Sequence, residues 1–133
     1  MKKLHISSHK RNEAIDITPM VREYLGEIKA VCGIITVHSP HTTAGVTINE
    51  NADPDVKFDM LFHLSQLIPP AETFKHVEGN SDAHIKATII GCSQNVIVEE
   101  GQLQMGTWQG VYFMEFDGPR EREVWLKFIP AKD

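Results

Sequence analysis

The sequence predicts an α+β domain: antiparallel sheets in a sandwich-like arrangement with two to three helices. Three observations carry this. Two helix starts of one kind, Thr18-Pro19 and Asp53-Pro54, are each followed by apolar residues at helical spacing. From Asn95 onward the chain reads only as strand and turn. Strands and helices do not alternate regularly, as a parallel α/β sheet would require. The 133 residues carry no internal repeat, low-complexity tract or linker, so one domain over 1–133 is expected.

In order along the chain, Leu4 and Ile6 alternate with polar residues as a first strand. Thr18 is the expected N-cap of the first helix, with Pro19 at a position where its missing N–H costs nothing. Val21, Tyr24, Leu25 and Ile28 then share a face, and Gly33 is expected to close that helix in a left-handed conformation. Gly-Ile-Ile-Thr-Val-His, from Gly33, reads as a buried strand broken at Pro40, and Gly45 to Asn49 as another. Asp53 caps the second helix, whose apolar face holds Val56, Met60, Leu61, Leu64, Leu67 and Ile68 until Pro69-Pro70 stops it.

After a loop over 69–79, Asn80 or Ser81 caps a short third helix ended near Gly91. The remainder is expected to be a meander. It runs through Val96 to Val98, a Glu100-Gly101 turn, Leu103 to Met105, Val111 to Phe116, and Val124 to Ile129. Apolar residues on both faces of the final strand, Val124, Leu126 and Phe128 against Trp125 and Ile129, predict two-sided burial. Its cover would be a second sheet or another subunit.

Composition narrows the function. With 41% hydrophobic and 23% charged residues the chain is a folded one. No apolar run approaches the roughly 18 residues of a membrane helix, and the start has no apolar signal core. A cytoplasmic protein without membrane partners is expected. The net charge of −5 argues against a dedicated nucleic-acid binder. Lys2, Lys3, Lys10 and Arg11 read as a solvated face guarding an edge strand. Cys32 and Cys92 fit neither a disulfide scaffold nor a four-thiolate zinc site, and are expected as core thiols.

Three clusters are too polar for their settings. The first runs from His38 through His41, Thr42 and Thr43 to Asn49, Glu50 and Asp53, between a strand and a helix. The second is His76-Val-Glu78-Gly79-Asn80-Ser81-Asp82-Ala-His84, where small polar caps at a helix start leave N–H groups for an anion. Asp82 complements the dipole there, and His84 in the first turn tends to be neutral, suited to metal or base. The third is Gly106-Thr107-Trp108-Gln109-Gly110, with Arg120 and Arg122 beyond it. Trp108 could stack on a heteroaromatic ring or a cation, and the two arginines suit a phosphate clamp. No phosphate-binding P-loop, dinucleotide fingerprint or H-E-x-x-H motif occurs. His41, His76 and His84, or two of them with Glu50, would leave an open position on a catalytic zinc.

Taken together, His41-Thr-Thr-Ala-Gly, Asn49-Glu-Asn-Ala-Asp-Pro54, His76-x-Glu-Gly-Asn, Ala-His84-Ile-Lys86, Gly106-Thr-Trp-Gln-Gly110 and Gly-Pro-Arg-x-Arg strongly resemble the YjbQ-like family of secondary thiamine-phosphate synthases. The resemblance covers nearly the whole chain. It implies sheets packed about a threefold axis in a homotrimer, and functional roles for His41, Asn49, Glu50, His76, His84 and 107–109. The implied reaction joins a pyrimidine methyl pyrophosphate to a thiazole phosphate and releases pyrophosphate. Such chemistry needs anion-stabilising groups, a platform for a flat ring, and usually a divalent metal.

On that basis Gly79, Asn80 and Ser81 with Arg120 or Arg122 are expected to hold phosphate, and Trp108 to stack on the heterocycle. Glu50, His41 and His84 would be the acid–base groups. Thr42, Thr43, Asn49, Thr107 and Gln109 would complete the substrate contacts. A metal on His41, His76 and His84 would be zinc or magnesium, the imidazoles favouring zinc, and no organic cofactor is expected. The alternatives are a zinc-dependent hydrolase of a small phosphorylated or acyl metabolite, and a non-catalytic protein binding an anionic metabolite.

Overall fold

A computed structural model of the chain describes residues 1–132. Eight strands and three helices follow one another in it. They are β1 (Lys2–Ser7), β2 (Glu13–Asp16), α1 (Thr18–Glu27), β3 (Gly33–His38), β4 (Ala44–Glu50), α2 (Pro54–Leu67), α3 (Ser81–Ile90), β5 (Ser93–Glu99), β6 (Gln102–Leu103), β7 (Gln109–Glu115) and β8 (Glu121–Pro130). They form a five-stranded sheet, β1-β8-β3-β5-β6, and a three-stranded sheet, β2-β7-β4. Every pairing is antiparallel. The expected α+β class is the observed one. Among the described residues no helix is long and apolar enough to cross a membrane.

Burial follows from strand alternation. Ile35 and Val37 of β3, Val96 and Val98 of β5, and Val124 and Leu126 of β8 face Val46 of β4 and Val111 and Phe113 of β7, with Val21 and Leu25 of α1 sealing the edge. The other face of β7 carries Tyr112 and Met114 against Ala83 and Ala87 of α3, with Met60, Leu61 and Leu64 of α2. Within the chain it is β7 that is covered on both faces. In β8 the second face is half open, with Ile129 exposed.

Several expectations are corrected. The chain after Asn95 is no meander, because β7 crosses to the other sheet between β6 and β8. Strand β3 is buried on one face only, since Ile34 is exposed. Ile17, not Thr18, caps α1; Asp16 Oδ1 takes both the Thr18 hydroxyl at 2.6 Å and its N–H at 2.9 Å. Helix α1 ends at Glu27, and the left-handed residue beyond it is Lys29, at φ 53°. Helix α2 is capped as expected, Asp53 accepting the Asp55 N–H at 2.9 Å, yet none of its residues is fully buried. Cys92 is exposed and Cys32 half-buried, so neither is a core thiol.

Gly33 instead opens β3 where the neighbouring strand presses hardest. A Cβ there would lie 2.2 Å from the Ile129 carbonyl oxygen and 2.9 Å from the Phe128 ring. Gly33→Ala should lose about 1–3 kcal/mol or more by forcing β3 and β8 apart. A lowered urea midpoint with an unchanged slope would report it; an unchanged midpoint would mean the ends of β3 and β8 separate freely.

Candidate functional site

Three stretches distant in the chain meet at one end of the three-stranded sheet. They are the turn from β3 into β4, the start of α3, and the turn from β7 into β8. Between them lies a cleft of 310 Å³ lined by Pro40, His41, Thr42, Thr43, Glu78, Asn80, His84, Arg120 and Arg122. Ser39 fixes the first stretch, its N–H donating to the Cys92 carbonyl at 2.7 Å and its hydroxyl to the Ala44 carbonyl at 3.2 Å.

His41 is held by backbone. Its Nε2 accepts the Glu123 N–H at 2.9 Å and lies 3.1 Å from the Glu123 carbonyl oxygen. Since that amide can only donate, Nε2 bears the lone pair and Nδ1 the proton. Burial, then the nearby Arg122 charge, pulls the His41 pKa below the usual imidazole value. The ring is neutral near neutral pH, its edge against Phe113.

Arg122 is less available than its sequence position implies. It is buried against Glu115, with Nε donating to Oε1 at 2.8 Å and Nη2 paired to Oε2. Nη2 also donates to Thr43 Oγ1 at 2.8 Å. Glu115 further accepts the Ser8 hydroxyl at 2.7 Å and the Asp117 N–H at 3.0 Å. Burial alone would raise the Glu115 pKa, but Arg122 and these donors hold it below the ordinary carboxylate value. Arg122 thus organises the cleft wall through Thr43, while Arg120 is half-exposed. The Arg120 guanidinium leans on Asp117 through its carbonyl and carboxylate oxygens, each at 2.9 Å.

On α3, Asn80 Nδ2 donates to Asp117 Oδ2 at 2.9 Å, leaving Oδ1 as a buried polar atom with no hydrogen-bond partner. The Asn80 backbone oxygen accepts Ala83 N–H at 3.0 Å, which closes the first turn. The His84 and His76 rings meet edge to face, centroids 5.5 Å apart, and His76 pairs with Glu78 at 3.6 Å. Behind the helix lies a charge network in which only the Asp82–Lys86 pair, at i,i+4, is local in sequence. Asp82 is buried with Arg11 at 3.0 Å and Lys86 at 3.9 Å, and Arg11 reaches Asp117 at 3.6 Å. Asp82 is therefore an ion-pair partner rather than a dipole complement alone, and Arg11 is anchored, not part of a solvated face.

Other expected residues stand elsewhere. Gly79 and Ser81 flank Asn80 without lining the cleft. Glu50 and Trp108 line a separate pocket, and Asn49 spends its side-chain oxygen on the Glu50 N–H at 2.7 Å. Gln109 folds back to accept the Gly106 N–H at 2.8 Å, with Thr107 at the tip of that turn. His41 and Glu50 flank opposite ends of β4, a strand spanning on the order of 20 Å. Glu50 and Trp108 therefore do not join the histidines within one chain. Nor does a three-histidine centre form there. His41 Nε2 is taken by backbone, and among the described residues no group of three or more His, Cys, Asp or Glu side chains could hold a metal ion.

Comparison with known proteins matches the family model "UPF0047 protein YjbQ-like" over residues 2–131. The chain belongs to the YjbQ-like family. A UPF0047 protein of Methanocaldococcus jannaschii is 53% identical over 98% of this chain and 94% of its own length. YugU of Bacillus subtilis is 52% identical over 97% and 98%. A crystal structure of an uncharacterised family member from Clostridium acetobutylicum superposes with a TM-score of 0.95 at 50% identity, covering 97% of this chain and 100% of that one. The family's fold and this chain's fold are thus one.

Proposed function

We propose that this protein is a cytoplasmic enzyme that binds a small phosphorylated metabolite in the His41–His84–Arg120 cleft, and that its reaction is thiamine-phosphate synthesis. One observation carries the reading: two imidazoles, a half-exposed arginine and Asn80, from three chain segments, line a single cleft at a helix start. In the reaction the methylene–oxygen bond of the pyrimidine methyl pyrophosphate breaks, its electron pair leaving with pyrophosphate. The thiazole nitrogen lone pair forms the new carbon–nitrogen bond. Arg120 stabilises the leaving anion, and His84 stands where it can protonate it. His41, neutral and fixed by Glu123, orients rather than titrates.

The homotrimer is part of this proposal. Ile34 of β3 stands in register with Ile97 of β5 and Ile129 of β8, an exposed apolar row on the outer sheet face that suits a neighbouring copy. Light scattering should return three times the chain mass of 15.0 kDa.

Product formation from both precursors tests the chemistry. His84→Ala and Arg120→Ala should each lower kcat/KM by about 100-fold. Turnover unchanged in both variants would overturn the site. Stoichiometric zinc that disappears in His84→Ala, with hydrolysis of a phosphate ester instead of condensation, would replace the synthase by the hydrolase reading, to which the His76–His84 contact would then belong.

A further inference from the structure

The far end of β4 holds a pocket of opposite chemistry. Its 430 Å³ are lined by Glu50, Ala52, Asp53, Pro54 and Trp108. Trp108 is 61% exposed, the largest side chain that the fold leaves in water. Its indole N–H and the Glu50 carboxylate have no hydrogen-bond or ion-pair partner among the described residues. An exposed indole and an unpaired carboxylate on one pocket wall leave a π face and a charge open to a ligand.

The backbone of both residues is pinned. The Asn51 N–H donates to the Trp108 carbonyl at 2.9 Å, and the Tyr112 hydroxyl donates to the Glu50 carbonyl at 3.1 Å. Gly110 leaves room for Asn51 alone, since a Cβ there would lie 2.4 Å from Asn51 Nδ2. Asn51 is tied in turn to Asp16 Oδ2 at 3.2 Å. The backbone that carries the ring and the carboxylate is therefore fixed rather than a loose tip.

The local charge is negative. Asp16, Glu50, Asp53 and Asp55 gather around the start of α2, and Tyr112 senses two of them. Its phenol is pushed up first by burial and then by Asp16 and Glu50. The positive end of α2 does not offset this, because Asp53 already accepts its Asp55 N–H. An anion would meet repulsion here. A flat cation would meet a π face and an unpaired carboxylate.

We propose that the Glu50–Trp108 pocket binds a planar organic cation, an N-alkylated aromatic ring or a guanidinium, stacked on Trp108 with its charge facing Glu50. Within one chain the site stands apart from the histidine cleft, and the proposal does not rest on the reaction assigned there. N-methylpyridinium is a direct probe, with benzyl alcohol as its neutral counterpart of similar size. The two tryptophans give two indole N–H signals, and Trp125 serves as internal control because it donates to Glu123 at 2.8 Å. Titration of the isotope-labelled protein with N-methylpyridinium should shift the Trp108 signal saturably and leave Trp125 unmoved. Glu50→Gln should weaken binding roughly three- to tenfold, and added salt should weaken it. Benzyl alcohol binding as tightly as the cation would overturn the proposal. So would affinity unchanged in Glu50→Gln, the absence of any saturable shift, or a Trp108 signal that association of copies shields from solvent.

Discussion

Arg122→Ala should destabilise the protein by about 3–5 kcal/mol, the usual loss when one member of a buried ion pair is removed. The loss is large because what remains is worse than what is taken away. Glu115 is wholly buried, and without Arg122 it keeps only the Ser8 hydroxyl and the Asp117 N–H for its charge. The pH dependence separates this cause from simple loss of packing. In the native protein the folded Glu115 pKa is depressed, so its contribution is present above the unfolded value and fades as pH falls through the folded one. In Arg122→Ala burial dominates and the pKa should rise above the unfolded value, so acidification should restore stability. Urea midpoints taken from neutrality down to about pH 5 should therefore fall in the native protein less than they recover in the variant. Adding Glu115→Gln to Arg122→Ala should regain much of the loss. Equal destabilisation in single and double variants at every pH would show that packing, not charge, holds the cleft wall.

Why some of this was legible in the sequence and some was not follows from range. The Asp53-Pro54 start of α2 was readable because both partners of the cap lie within two residues. Thr18-Pro19 looked the same, but Asp16 takes the Thr18 donors and the Val111 N–H donates back to the Thr18 hydroxyl at 2.8 Å, across 93 residues. The cleft residues His41, Asn80, His84, Arg120 and Arg122 stood out as polar groups beside glycines and turns, and the fold brings them together. Glu50 and Trp108 stood out equally, yet no local pattern tells which end of a strand a ligand uses.

Glu115 is a lone acid in the apolar run Val-Tyr-Phe-Met-Glu-Phe, and of the two readings that Arg122 allows, a phosphate clamp or a pair with a nearby glutamate such as Glu115, the fold takes the second. The Arg11–Asp82 pair spans 71 residues and has no local signal. The crossing of β7 between sheets was hidden for a related reason. Its neighbours Ala14 and Val46 are buried on opposite faces, and only tertiary packing decides which strand is covered twice.

Asp82→Ala should be the second severe variant, also at about 3–5 kcal/mol, and its mechanism is the mirror image. Arg11 is 43% exposed and keeps Asp117 at 3.6 Å, so it can turn to water when Asp82 goes. Lys86 cannot. It is fully buried, with only the Asn12 oxygen at 3.2 Å, the Ser65 hydroxyl at 3.5 Å and the Phe116 ring at 5.9 Å beside its ammonium. Burial already lowers the Lys86 pKa, Asp82 works against that, and Arg11 adds to it. Removing Asp82 must lower it further. A lysine whose folded pKa lies below its unfolded value penalises the fold at low pH, and the penalty lifts as pH rises through the folded value. Asp82→Ala should therefore recover stability on moving to alkaline pH, opposite in direction to Arg122→Ala. Lys86→Met should rescue it at neutral pH, because the stranded ammonium is the source of the loss. The same network anchors the first turn of α3, which carries Asn80 and His84 into the cleft. Amide exchange in that turn should quicken in Asp82→Ala and slow again in the double variant. Fast exchange that persists after rescue of global stability would mean that Asp82 positions the cleft directly, through Arg11 and Asp117, rather than by neutralising Lys86.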